Sequence, residues 1–102
     1  MSCSKGSSNI EIITPSNGQT FHLGDMIDVK AKIYDSDIIY GETILATSQN
    51  GDTLFHYKDP QSIGQSHTLI KSFKATSQGN YKIVISTLGA TSNSKSVIVT
   101  VN

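Results

Sequence analysis

The sequence predicts an all-β domain, an antiparallel sandwich of about seven short strands. Apolar and polar residues alternate in several segments, and turn-forming residues separate these segments at intervals of about 8–15 residues. No segment has the 3.6-residue period of an amphipathic helix, so we expect no helix longer than two turns within residues 25–101. The chain of 102 residues has the length of one domain. We place that domain at residues 9–102, after a flexible polar tether at residues 1–8.

The first predicted strand is rich in isoleucine and covers residues 10–13. It ends at Pro15, which has no N–H to donate, and the chain then turns at Asn17 and Gly18, which favour positive φ. A second short strand resumes the alternation at residues 21–23 and ends at the next turn.

The clearest strand covers residues 26–34, which alternate between an apolar and a largely charged face. The apolar face carries Ile27, Val29, Ala31 and Ile33. A period of two over this length is typical of a half-buried antiparallel strand. We expect the acidic turn at residues 35–37 to end the strand.

The next two predicted strands form a hairpin from residues 42–48 and 53–57. Asn50 and Gly51 lie between them, and both residues tolerate the positive φ values of a type I′ turn. A loop follows at Pro60, because proline cannot donate a ladder hydrogen bond.

Three further strands are predicted in the last third of the chain, at residues 67–74, 81–85 and 97–101. The second and third alternate cleanly between apolar and polar side chains. The register of the first stays open, because Leu69, Ile70 and Phe73 do not share one parity.

Residues 13–37 resemble the front half of the immunoglobulin-like domains found on bacterial cell-surface proteins. In that family a proline and an Asn-Gly turn lead to a hydrophobic position, then to Gly-Asp, an alternating strand and an acidic turn. The matching residues here are Pro15, Asn17, Gly18, Phe21, Gly24, Asp25, Ile27, Val29, Ala31 and Asp35.

A second match lies in the segment QGNYKIVIS, where Gly79 and Tyr81 resemble the start of the family's penultimate strand. The resemblance covers residues 10–101 and implies a seven-stranded, antiparallel immunoglobulin-like β-sandwich. It also implies a corner role for Tyr81, with a buried ring and a hydroxyl bonded to the preceding connection. The chain departs from the family in its third strand, where a glycine is delayed to Gly41 and an aromatic residue is replaced near Ala46.

The start of the chain resembles the mature start of a bacterial lipoprotein. Cys3 is the only cysteine, it follows the small residue Ser2, and a polar tether comes after it. In that family the cysteine carries acyl chains. The resemblance implies a lipid anchor at Cys3 as the only membrane contact of an extracytoplasmic protein, at the outer or cytoplasmic membrane of a bacterial cell envelope. The alternative is an incidental cysteine in a disordered terminus.

The charges of the chain balance, with eight lysines, no arginine and eight acidic residues. Binding to nucleic acid depends on clustered positive charge, and arginine supplies its bidentate contacts. We therefore expect no nucleic-acid partner.

Acidic side chains near one strand end are candidates for a calcium site. Asp35 and Asp37, joined by Asp25 or Glu42, offer the oxygen ligands that calcium prefers. The alternative, which we favour, is that these aspartates stabilise turns.

Histidines are candidates for a zinc or copper site, because neutral imidazoles bind these metals when two or three converge. His56 and His67 would lie close together if their strands are neighbours. Their spacing shows no shared face, so we favour scattered surface histidines, His22 included. We expect no cofactor.

Tyrosines are candidates for a glycan-binding platform, since the chain has no tryptophan. The candidates are Tyr34, Tyr40 and Tyr57, and the parity of Tyr34 places it opposite the apolar face of its strand. An exposed tyrosine that belongs only to the sheet surface is the alternative.

Catalytic motifs are missing from the sequence. The segment GQSHT at residues 64–68 lacks the last glycine of a nucleophile elbow, and no helix is predicted after it. We expect a non-enzymatic envelope protein whose domain serves in interaction, adhesion or spacing, with a protein or glycan ligand. A carbohydrate-binding module and an envelope metal-binding or enzyme-accessory protein are the alternatives.

Overall fold

The computed structural model describes residues 8–59, 64–89 and 93–102, with the side chains at 8, 35–40, 64–65 and 88–89 outside this description. All of its regular elements are strands, and none of the residues in these ranges is helical. The strands are β1 Ser8–Thr14, β2 Thr20–Phe21, β3 Met26–Ser48, β4 Thr53–Asp59, β5 Gly64–Lys74, β6 Gly79–Gly89 and β7 Asn93–Val101.

Strand β3 belongs to both sheets of the sandwich. Its first half pairs antiparallel with β1 and β5, and we call these three strands sheet I. Its second half pairs antiparallel with β4 and β6, and β7 and β2 complete this second layer, sheet II. With β3 counted once in each sheet, the described residues form eight strands rather than the predicted seven.

The acidic turn predicted at residues 35–37 is wrong, because β3 runs unbroken through this segment. The register with β5 shifts between Tyr34 and Ile39, and the register with β6 shifts between Ile39 and Gly41. The polar segment therefore lies where the strand exchanges its partners and crosses from sheet I to sheet II. Local turn chemistry does not distinguish such a crossing from a hairpin.

The sandwich is not purely antiparallel, because β2 pairs with β7 in parallel. The turn after β1 carries the chain across to sheet II, where it meets β7. The N–H of Gly18 donates to the carbonyl of Ile98 at 2.7 Å, and the N–H of Ile98 donates to Oδ1 of Asn17 at 2.9 Å. Asn17 and Gly18 thus form the predicted turn and also fix its position on β7.

The hairpin from β3 to β4 forms as predicted, but its turn is not of type I′. Gly51 has a φ of 92°, and every residue with a positive φ in the described ranges is a glycine. The N–H of Gly51 donates to the carbonyl of Ser48, and the N–H of Ser48 donates to the carbonyl of Asp52. These bonds enclose a three-residue loop with a left-handed glycine, so Asn50 keeps a negative φ.

The core lies between the two sheets, and the alternating residues of β3 supply much of it. Ile27, Val29, Ala31 and Ile33, the predicted apolar face, are all buried. In β5, Leu69 and Phe73 face the core and Ile70 faces solvent, which settles the register that the sequence left open.

Tyr81 lies fully buried at the start of β6, and its hydroxyl bonds to the preceding connection. The hydroxyl donates to the carbonyl of Ser77 and accepts from the N–H of the same residue at 3.2 Å. This is the contact that a corner tyrosine makes. Gly79, with a φ of 125°, turns the backbone two residues earlier, in a region that side chains rarely adopt.

Replacing Tyr81 with Phe removes these hydrogen bonds and leaves the ring in place. We expect the free energy of unfolding to fall by about 0.5–1.5 kcal/mol, the net contribution of one hydrogen bond. Urea denaturation measures this, with Tyr34→Phe on the exposed face of β3 as the control, which we expect to stay within about 0.5 kcal/mol of wild type. An unchanged midpoint in Tyr81→Phe would show that the hydroxyl contributes nothing.

Candidate functional site

Strands β4 and β5 each pair with β3 alone among the described strands, and they face each other at one side of the sandwich. We call this side the β4–β5 edge. Phe55 of β4 stacks on Phe73 of β5 with a centroid distance of 4.8 Å, and Phe73 stacks in turn against Tyr81 at 6.4 Å. This aromatic stack closes the edge at one end.

A lysine and a tyrosine continue the edge beyond the aromatic stack. Lys71 pairs with Val29 across sheet I, so its side chain has core parity, and Nζ lies 4.3 Å from the ring centroid of Tyr57. Such a cation over an aromatic face is attracted to the negative potential of the ring. Tyr57 is half-buried at this edge, with its ring facing Lys71.

Glu42 and His67 form the next contact along the edge. Glu42 shares the parity of Ile44 and Ala46, so β3 directs its side chain inward, and it is 0 % exposed. Nε2 of His67 lies 3.2 Å from Oε2 of Glu42. The approach has an ion-pair distance without hydrogen-bond geometry, and neither carboxylate oxygen has a hydrogen-bond partner among the described residues.

The electrostatics of the edge disfavour ionisation of its acids. Burial raises the pKa of Glu42, and the charge of Asp59 raises it further, whereas His67 and Lys71 oppose this change. Burial likewise raises the pKa of the Tyr57 hydroxyl, and the negative charges of Asp59 and Glu42 raise it further. A buried carboxylate beside a second carboxylate is stable only with a compensating proton or cation.

A second candidate site is an open groove of about 650 Å³ on the outer face of sheet I. Two rows of side chains from β1, β3 and β5 line it: Asn9, Tyr34 and Ser66, and then Glu11, Lys32 and Thr68. Tyr34 lies at the middle of its row and is 49 % exposed. Within the described part of the chain, these six side chains form no hydrogen bond or ion pair with one another.

Tyr34 and His67 border the same groove, but their side chains point to opposite faces of sheet I. Tyr34 lies on the outer face that its parity predicts. His67 faces the interior, whereas His56 pairs with Leu45 on the outer face of sheet II and is exposed, so the two do not share a face. His22 is exposed as well.

The acidic candidates do not form a described metal site. Asp25 accepts a hydrogen bond from the N–H of His22 at 2.8 Å, so its carboxylate stabilises a turn. The side chains of Asp35, Asp37 and Tyr40 lie outside the described residues. Within residues 8–59, 64–89 and 93–102, no three His, Cys, Asp or Glu side chains group closely enough to hold a metal ion.

Sequence reasoning named Glu42 only as part of an acidic cluster and did not name Lys71. One available signal was the parity of Glu42, which it shares with the apolar residues at 44 and 46. The mixed pattern of β5 concealed Lys71, because its inward parity is apparent only once Leu69 and Phe73 are assigned to the core.

No protein-family model matches the chain, and no curated protein sequence does. The fold is similar to the CARDB domain of a Pyrococcus furiosus protein, in a crystal structure described as a complex with di-metal ions. The TM-score is 0.61 at 12% identity, over 95% of this chain and 89% of that domain. A solution structure of the same domain gives a TM-score of 0.63 at 14% identity, over 94% of each chain.

A beta-glucosidase from Listeria innocua contains a similar region. Its TM-score is 0.56 at 15% identity, and the match covers 100% of this chain but only 17% of the enzyme. At these identities the similarity extends to the fold alone. The chain therefore has an immunoglobulin-like β-sandwich fold of the kind found in CARDB domains.

Proposed function

We propose that the chain is a non-enzymatic interaction domain of a bacterial cell envelope, and that it binds its ligand on the outer face of sheet I. The observation that carries the proposal is the groove around Tyr34, whose six outward-facing polar side chains have no hydrogen-bond or ion-pair partner within the described chain. The similarity to CARDB domains covers nearly the whole of both chains and supports the immunoglobulin-like fold on which the proposal rests.

A saccharide ligand is the second candidate, and the composition of the groove favours it. Tyr34 offers a ring for stacking, and carboxylate, amine, amide and hydroxyl groups surround it within a volume that suits a small ligand. A protein ligand would use the same face and extend over the exposed side chain of Ile70.

Replacing Tyr34 with Ala should weaken binding to an envelope preparation on the order of tenfold, through loss of the central aromatic contact. The assay measures binding of the purified protein to envelopes that are untreated, protease-treated or stripped of glycans. Loss of binding after one treatment identifies the class of ligand. Ile98→Ala, on the exposed face of sheet II, is the matched control. Equal binding by Tyr34→Ala and wild type would exclude the groove.

We further propose that Cys3 carries the lipid anchor and that the polar residues after it hold the domain away from the bilayer. Cys3 lies outside the described residues, and β1 begins at Ser8, one residue before the predicted start of the domain. The described residues include no helix that is long and apolar enough to cross a membrane.

Replacing Cys3 with Ser should release the protein from the membrane fraction of its host. Each acyl methylene contributes about 0.8 kcal/mol of membrane affinity, and a domain without net charge offers no electrostatic substitute. Stability should stay within about 0.5 kcal/mol of wild type. Fractionation and intact mass provide the two measurements. Membrane association that persists in the variant, or a wild-type mass without acyl chains, would exclude the anchor.

A further inference from the structure

The contact between Glu42 and His67 joins the two sheets at the β4–β5 edge. Glu42 lies in the sheet II half of β3, and His67 pairs with Ile33 in sheet I. Their side chains meet at 3.2 Å in the interior, where Glu42 is fully buried and His67 is 36 % exposed. A change in the charge of either group therefore changes the strength of a contact between the two sheets.

The groups that face the Glu42 carboxylate come from each strand packed around it. Strand β4 contributes Asp59 and Tyr57, and β5 contributes Lys71 beside His67. Strand β6 contributes Thr87, which is buried opposite Glu42 and does not titrate. Among these groups, the imidazole of His67 is the one that approaches a carboxylate oxygen of Glu42 at ion-pair distance, 3.2 Å.

The two groups are least compatible when they hold no proton between them. The Glu42 carboxylate is then ionised, buried and without a hydrogen-bond donor, and the imidazole is neutral. One proton removes the conflict in either position: on the imidazole it creates an ion pair, and on the carboxylate it leaves two neutral groups. Imidazole is the side chain that takes up a proton in the weakly acidic range.

We propose that the Glu42–His67 contact is a proton-dependent switch, in which uptake of one proton holds β5 against the second half of β3 and its loss loosens the β4–β5 edge. His67 is also among the residues that border the groove on sheet I, although its side chain points inward to Glu42.

The direction of the pH dependence follows from the buried acid. Burial raises the pKa of Glu42 above its ordinary value of 4.5, so the folded state retains a proton that the unfolded state has lost. The stabilisation is complete below that ordinary value and is lost as the pH rises through the raised pKa. One such proton changes the unfolding equilibrium constant by up to about tenfold per pH unit.

Urea denaturation from about pH 4 to about pH 8.5 (a range that begins below the ordinary pKa of about 4.5) tests the switch on wild type, Glu42→Gln and His56→Gln. The wild type should become less stable as the pH rises, and His56→Gln, which changes an exposed histidine, should keep the same slope. The isosteric Glu42→Gln should lose most of the slope. A wild-type slope in Glu42→Gln would overturn the proposal.

Two measurements make the test independent of how well that variant folds. The carboxyl carbon of Glu42, followed by NMR, should titrate at higher pH in His67→Gln than in wild type, because the imidazole opposes the rise in its pKa. Amide protection in β5, relative to β6, should fall as the pH rises in wild type. An unmoved Glu42 transition in His67→Gln, or β5 protection that does not change with pH, would overturn the proposal.

Discussion

Replacing Phe73 with Ala should lower the free energy of unfolding by about 3–5 kcal/mol, the cost of removing a large aromatic side chain from a core. Phe73 is 6 % exposed and lies between Phe55 and Tyr81, so its ring contributes to the core and to both aromatic contacts. Among the described strands β5 has a backbone partner only in β3, and it contacts β4 through side chains such as the Phe55–Phe73 stack, so loss of this ring also weakens its contact with β4.

Urea or thermal denaturation measures the effect, and β5 offers its own control. Ile70 lies three residues earlier in the same strand but points away from the core and is 60 % exposed. Ile70→Ala should change stability by no more than about 0.5 kcal/mol. A loss below 1 kcal/mol in Phe73→Ala (about the deletion of one methylene) would contradict the closed edge described above.

The parts of the fold that the sequence predicted are those that local pattern determines. Residues 27–33 alternate over a full strand, so a single register buries one face, and the structure has that face in the core. Gly79 and Tyr81 mark the start of β6 for the same reason. The positive φ of Gly79 is a property of one residue, and the hydroxyl of Tyr81 bonds to the carbonyl of Ser77, only four residues away.

The parts that the sequence did not predict depend on contacts between distant strands. The segment at residues 35–37 has the chemistry of a turn, but its strand continues because β6 becomes its partner from Ile39 and β4 from Glu42. The parallel pairing of β2 depends on where β7 lies, which no local signal near Phe21 specifies.

In the candidate site, too, the sequence predicts what local pattern determines and does not predict contacts between distant strands. Tyr34 was predicted to face outward from its parity, and the groove around it required β1 and β5 as neighbours. The contact of Glu42 with His67 could not be derived, because 25 residues and a change of sheet separate the two. His56 and His67, whose convergence was the less favoured alternative, do not meet, because their strands present them to different faces.

Replacing Glu42 with Leu should raise the free energy of unfolding at pH 8 by about 1–2 kcal/mol, the lower part of the range for replacing whole buried ion pairs with hydrophobic residues, since here His67 loses its partner. Leu has a similar size and needs no hydrogen-bond donor, whereas the carboxylate has none among the described residues. His67 stays partly exposed, so water can solvate it once its partner is gone.

Glu11→Leu, on the exposed face of β1, controls for the change of charge and should shift stability by no more than about 0.5 kcal/mol. Urea denaturation at pH 8 and at about pH 4, below the ordinary pKa of Glu42, gives the comparison, and the gain should shrink at the lower pH, at which wild type holds its proton. A Glu42→Leu variant less stable than wild type at pH 8 would mean that the carboxylate contributes more through its contacts than its burial costs.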